Sequence, residues 1–229
     1  MCEPHGTPIL PLLPQYMERA CEGIPLAGMA IPDGLAQILR ANGLIWTDTV
    51  TDGNCGLHAF GQSLLDVAKR NKQLYTSNKF KAFLENSKLN KNMILHLRQI
   101  ASKWMMDNAD VEVWGGMPFK HLATAMAHDA TLPFGAHVQR VTTDKEWIDA
   151  SVLHALGCVF RVDVVILQET VEPTFVGFSL LDTGVTLSLV PVAMENDRHF
   201  WAACKAEVVE PIAVPDNGDI HLWGKKEHD

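Results

Sequence analysis

Leu57, Phe60, Leu64, Val67 and Ala68 recur at the spacing of one helix face. That periodicity predicts a helix over residues 55–69 with one buried side. Similar amphipathic patterns predict helices over residues 94–106, about 119–128 and 144–156, the last opened by Thr142 or Thr143. A shorter one is expected over residues 35–41, stopped at Asn42-Gly43. Residues 44–50 read as strand or extended chain running into an Asp52-Gly53-Asn54 turn. Apolar, β-branched runs predict strands over residues 159–167, 174–181, 185–192 and 199–205. Helices first and strands later, joined by short links, indicate an α+β domain: a three-layer α/β/α arrangement around a mainly antiparallel sheet.

Three stretches break the pattern. Half of the twelve prolines fall within the first 34 residues, so residues 1–34 are expected to form an extended arm. Residues 35–210 then form the domain, and residues 211–229 a polar tail. Residues 69–91 are polar and hold seven Lys or Arg against one Glu, so this stretch carries +6 and the rest of the chain −14. A solvated helical excursion is the expected reading, a basic partner-binding arm the rival one.

Composition narrows the function classes. A net charge of −8 argues against a duty on bulk nucleic acid, which needs phosphate neutralisation. No run of 18 apolar residues occurs, so no spanning helix is expected. The first residues lack the basic start and apolar run of a secretory signal. Five scattered cysteines without a C-x-x-C pair fit neither a disulfide framework nor a four-cysteine zinc site. His121 and His128 have no carboxylate completing a metal set. A monomeric cytoplasmic protein without metal or cofactor is expected.

Cys55 follows the Asp52-Gly53-Asn54 turn and opens a helix. Free N–H groups and the positive end of the dipole there are expected to lower the thiol pKa and to hold a developing oxyanion. A nucleophilic cysteine needs a base. His5, His221 and His228 lie near the chain ends, and His58 is on the helix of Cys55 but poorly aimed at it. His96, His121, His128 and His154 fall in helical patterns and are expected at the surface or half-buried. His199 differs, because it opens an apolar run, His-Phe-Trp-Ala-Ala-Cys, at the mouth of a strand.

Asp52-Gly53-Asn54-Cys55 before a helix, and His199 with an aromatic behind it, together resemble the ovarian-tumour (OTU) family of papain-like deubiquitinases. Trp147 to Leu156 resembles the family's W-G-x-x-x-E-L-x-A-L segment, and Leu97-Arg98-Gln99 its L-R-x-x element. The resemblance runs from about residue 44 to 206. Gly56 stands where Leu or Phe is commoner, and Ile148 replaces the glycine after the tryptophan. Trp114-Gly-Gly matches that tripeptide better but precedes a helix. Trp201 occupies the place where many members carry an Asp or Asn that orients the histidine. Close papain kinship fails, since Thr49 stands where papain has its glutamine.

The resemblance implies a thiol isopeptidase acting on ubiquitin, a ubiquitin-like protein or polyubiquitin chains. Cys55 is then the nucleophile and His199 the general base and acid. Asp52, Gly53, Asn54 and Cys55 form the oxyanion turn, and Asn196 or Asp197 substitutes as orienter, unless the pair works alone. Trp201 or Trp147 walls the channel for the modifier's C-terminus, with core packing the expected job of Trp147. The rival reading is a catalytically dead OTU-like domain that binds ubiquitin or scaffolds a complex. Cytoplasmic action extends to a host cytosol if the protein is delivered there.

Overall fold

In the computed structural model, the described residues are 31–47, 49, 52–86, 90–127, 129–169, 172–181, 186–195 and 199–205. Most of the proline-rich arm and all of the tail lie outside them. The chain enters through α1 (Asp33–Ala41), which opens two residues earlier than its apolar pattern suggests, because Pro32 and Asp33 suit a first turn. Gly43, at φ 67°, then turns the backbone into β1 (Leu44–Thr47).

Next comes α2 (Cys55–Arg70), which is buried nearly all the way round and not on one face alone. Small residues permit this. A Cβ on Gly61 would sit 3.1 Å from the Met93 sulfur, and Ala59 and Ser63 are fully buried. The basic stretch forms α3 (Lys72–Thr76) and α4 (Asn78–Asn86). It is no excursion. Leu74, Phe80 and Phe83 are buried, and Phe83 meets Phe160 edge-on at 5.8 Å, while the lysines on these helices stay outside.

Then follow α5 (Asn90–Asp107), a small hairpin of β2 (Glu112–Val113) and β3 (Met117–Pro118), α6 (Phe119–Met126) and α7 (Phe134–Val141). The hairpin turns at Trp114-Gly115-Gly116, both glycines having φ above 70°. The helix expected over residues 144–156 is displaced. Thr142 ends α7, and α8 (Ala150–Phe160) begins only after Asp149, whose carboxylate accepts the Ser151 N–H at 2.9 Å. Because α8 runs to Phe160, the strand expected from residue 159 starts four residues later.

The sheet consists of β1, β4 (Asp163–Leu167), β5 (Thr174–Gly177), β6 (Leu189–Glu195) and β7 (His199–Lys205). Its order is β1-β7-β6-β4-β5, antiparallel except between β4 and β6. Helices cover both faces, giving the expected three-layer α+β architecture. Alternation along β7 divides the core. Trp201 and Ala203 pack with Leu35 and Leu39 of α1, whereas Phe200 and Ala202 join the larger cluster built by α2, α5 and α8.

Candidate active site

The turn before α2 is shaped by Asp52. Its carboxylate accepts the Asn54 N–H at 2.9 Å, and its carbonyl accepts the Cys55 N–H at 3.0 Å. Cys55 is 2% exposed at the first position of α2. Its thiol pKa is raised, contrary to the sequence expectation. Burial is the largest cause; backbone N–H groups of Phe200, Gly56 and Cys55 itself pull it down, and the Asp52 charge pushes it up. A helix start supplies donors, but here desolvation outweighs them.

The Phe200 N–H at the sulfur locates Cys55 against the residue directly after His199. Thr49 fastens the same spot, its hydroxyl donating to the Phe200 carbonyl. His199 is 8% exposed and meets Trp201 edge-on at 4.9 Å between ring centres. Trp201 is fully buried among α1 side chains, which corrects its assignment as a channel wall, since it offers no surface. Trp147 is 48% exposed, which corrects its assignment to core packing. Asn196 and Asp197 lie outside the described residues.

Sequence reasoning missed how the turn is held. Arg98, 1% exposed on α5, donates to Asn54 Oδ1 at 2.7 Å, the Gly53 carbonyl at 3.3 Å, the Val141 carbonyl at 2.8 Å and the Glu146 carbonyl at 2.6 Å. The Asn54 amide nitrogen donates to Asp144 at 3.0 Å. Residues 144–148 are thereby strapped over the turn, so tightly that a Cβ on Gly53 would collide with the Lys145 carbonyl. A peptide unit is planar and trans, so an inward Gly53 carbonyl forces the Asn54 N–H outward. Arg98 therefore helps set the orientation of the Gly53–Asn54 peptide, whose N–H is held by the Asp52 carboxylate.

The strap also accounts for the small residue at position 56 and the large one at position 148. A Cβ on Gly56 would fall 2.7 Å from Ile148 Cδ1 and 3.1 Å from the Phe200 ring. Ile148, 2% exposed, fills the volume that a larger residue at position 56 would need. The small residue after the cysteine and the large one after Trp147 are complementary in volume.

Among the other histidines, His154 is fully buried, not half-buried as expected, and burial lowers its pKa to about 4. His58 faces a partly buried site where desolvation lowers its pKa and Asp52 raises it. His137, which the sequence pattern did not single out, is buried beside the α8 cap, with Nε2 3.1 Å from Ser151 Oγ and 3.6 Å from Asp149. No group of three His, Cys, Asp or Glu able to hold a metal occurs among the described residues. No helix among them is long and apolar enough to cross a membrane.

No protein-family model and no curated protein sequence matches the chain. Among solved structures, it is similar to the OTU domain of OTUD1, at 15% identity over 75% of this chain and 92% of that one, with a TM-score of 0.47. It is also similar to an OTU deubiquitinase from Wolbachia pipientis wMel, solved bound to ubiquitin, at 12% identity over 72% of this chain and 97% of that one, with a TM-score of 0.41.

Proposed function

We propose that this chain is a thiol isopeptidase that removes ubiquitin or a ubiquitin-like modifier from lysine side chains or from polyubiquitin. The observation that carries the reading is the ring of backbone N–H donors around the Cys55 sulfur, one of them from Phe200, beside the strand that His199 opens. Burial keeps the resting sulfur protonated, so attack needs a base. His199 takes the thiol proton as the sulfur adds to the carbonyl of the modifier's C-terminal glycine. The turn of Asp52, Gly53, Asn54 and Cys55 stabilises the oxyanion. His199 then protonates the departing lysine amine. Water cleaves the thioester, giving one proton to His199, which returns it to the sulfur. Trp147, exposed on the strap beside the turn, is the wall along which the modifier's tail runs. The steps use side chains and water alone, and a cytosolic site of action, its own or a host's, goes with this reading.

A ubiquitin probe ending in an electrophile tests the proposal. Wild-type protein is expected to form a covalent adduct, and Cys55→Ala none. A panel of eight diubiquitins then reports linkage preference. The 2% exposure of Cys55 favours a second reading, a binding-only domain. Ubiquitin binding without adduct formation would establish that one instead.

A further inference from the structure

We infer that Glu195 is the positioning residue for the His199 imidazole. This rests on the isopeptidase reading of the site. In the antiparallel pair of β6 and β7, Glu195 stands directly opposite His199, so the two side chains project from the same face with Cβ atoms about 5 Å apart. Trp201, two residues along β7, shares that face and packs edge-on against the imidazole. Glu195 Oε2 and Trp201 Nε1 are both buried here with no hydrogen-bond partner among the described residues. Leaving a carboxylate oxygen so is costly, and such atoms cluster where chemistry uses them.

Trp201 holds the position from which an Asp or Asn would orient the ring, yet an indole only donates. Glu195 offers a carboxylate acceptor from the other arm of the hairpin, four residues before the histidine. Among the described residues, Cys55 lies beside the start of β7 with Asp52 near it, and His58 feels the same Asp52 charge. When the Cys55 proton moves to the imidazole, a positive ring N–H faces the carboxylate and a charge-assisted bond closes. Such bonds are commonly long in the resting enzyme and tighten in the reacting complex.

The test compares Glu195→Ala, Glu195→Gln, Glu195→Asp, Asn196→Ala and Asp197→Ala in the full chain. Two readouts serve it: steady-state cleavage of a fluorogenic ubiquitin substrate, and the low-field proton NMR signal of the imidazole N–H at pH 5 in Cys55→Ala protein. Glu195→Ala is expected to lower kcat ~10²-fold with KM within about threefold, as for an interaction that matters most as the imidazolium forms. Glu195→Gln, nearly the same shape, should lose almost as much with its fold intact, and Glu195→Asp should recover part of the rate. The low-field signal should vanish in Glu195→Ala and persist in the two loop variants. A kcat within about threefold of wild type for Glu195→Ala and Glu195→Gln, or a large loss confined to Asn196→Ala or Asp197→Ala, overturns the inference. If wild-type protein cleaves no ubiquitin substrate, the isopeptidase reading fails by itself. The NMR signal still decides the pair: survival in Glu195→Ala overturns it, loss supports it.

Discussion

Among the described residues, cysteine and histidine come together at the start of α2 and inside α8. In α8, the Cys158 sulfur lies 3.5 Å from His154 Nε2, while Nδ1 of that ring accepts the Gly177 N–H at 3.1 Å. Trp104 and Phe119 enclose the imidazole at 5.6 and 5.3 Å. Burial drives the Cys158 thiol far up, with the Asp163 charge adding to it, and drives His154 down to about 4. Both groups stay neutral, so the pair behaves as packing. Cys55 is as deeply buried as Cys158, at 2% against 6% exposure. What differs is the ring of N–H donors at its sulfur and its place where a turn, a helix start and a strand start converge. On the isopeptidase reading, the donors at the sulfur, and not contact between thiol and imidazole, set the two pairs apart.

The sharpest way to break this contrast is to exchange the expectations. Cys55→Ala is expected to lower turnover at least ~10³-fold with the melting temperature within a few degrees, whereas Cys158→Ala keeps turnover. The reverse outcome in a ubiquitin-cleavage assay would make α8 the functional pair. Next in size is acid sensitivity. His154 has a folded pKa of about 4 against an ordinary 6.5, so its contribution is intact above pH 6.5 and is lost as pH falls through about 4. That loss is worth roughly 3 kcal/mol. Denaturant unfolding of His154→Asn between pH 7 and 4 should show a correspondingly flatter dependence, and an unchanged slope would mean that another group governs it.

A smaller effect is expected at Arg98. Arg98→Lys keeps a buried cation but not the fork that reaches four acceptors, so kcat should fall ~30-fold through the loosened oxyanion turn. Alkylation of Cys55 by iodoacetamide builds no oxyanion and should stay within about threefold. Parallel loss of both rates would indicate displacement of the thiol itself. Least is expected of Cys158→Ala on stability, a loss of ~1–3 kcal/mol in denaturant unfolding, as for a small core cavity.

Much of this was legible in the sequence because period and punctuation are local signals. The strand at His199 and the helix at Cys55 carry both, and their expected bounds fall within one residue of those observed. The α7 helix was not expected; it is short, opens directly after Pro133 and carries Gly135 in its first turn, which weakens its pattern. The basic stretch was misjudged because charge dominates its composition, while three buried side chains decide where it lies. Arg98 and Glu195 were beyond reach for another reason. Arg98 binds residues 44, 45, 43 and 48 positions away, and Glu195 meets His199 only through strand register. The direction of the Cys55 pKa was misread because helix position is visible in a sequence, but depth of burial is not.

Strand β7 is held between β6 and β1, and Leu44 to Thr47 pair with Ala202 to Lys205 across nearly the whole domain. This seam has a consequence for biosynthesis. Cys55 leaves the ribosome 144 residues before His199. At the ~5–20 residues per second of translation, that is roughly 7–30 s during which α2 exists without the strand that brings the imidazole. Until β7 zips between its neighbours, the nascent thiol has neither His199 nor the Phe200 N–H near it. On the isopeptidase reading, the chemistry has to wait until β7 is made and paired.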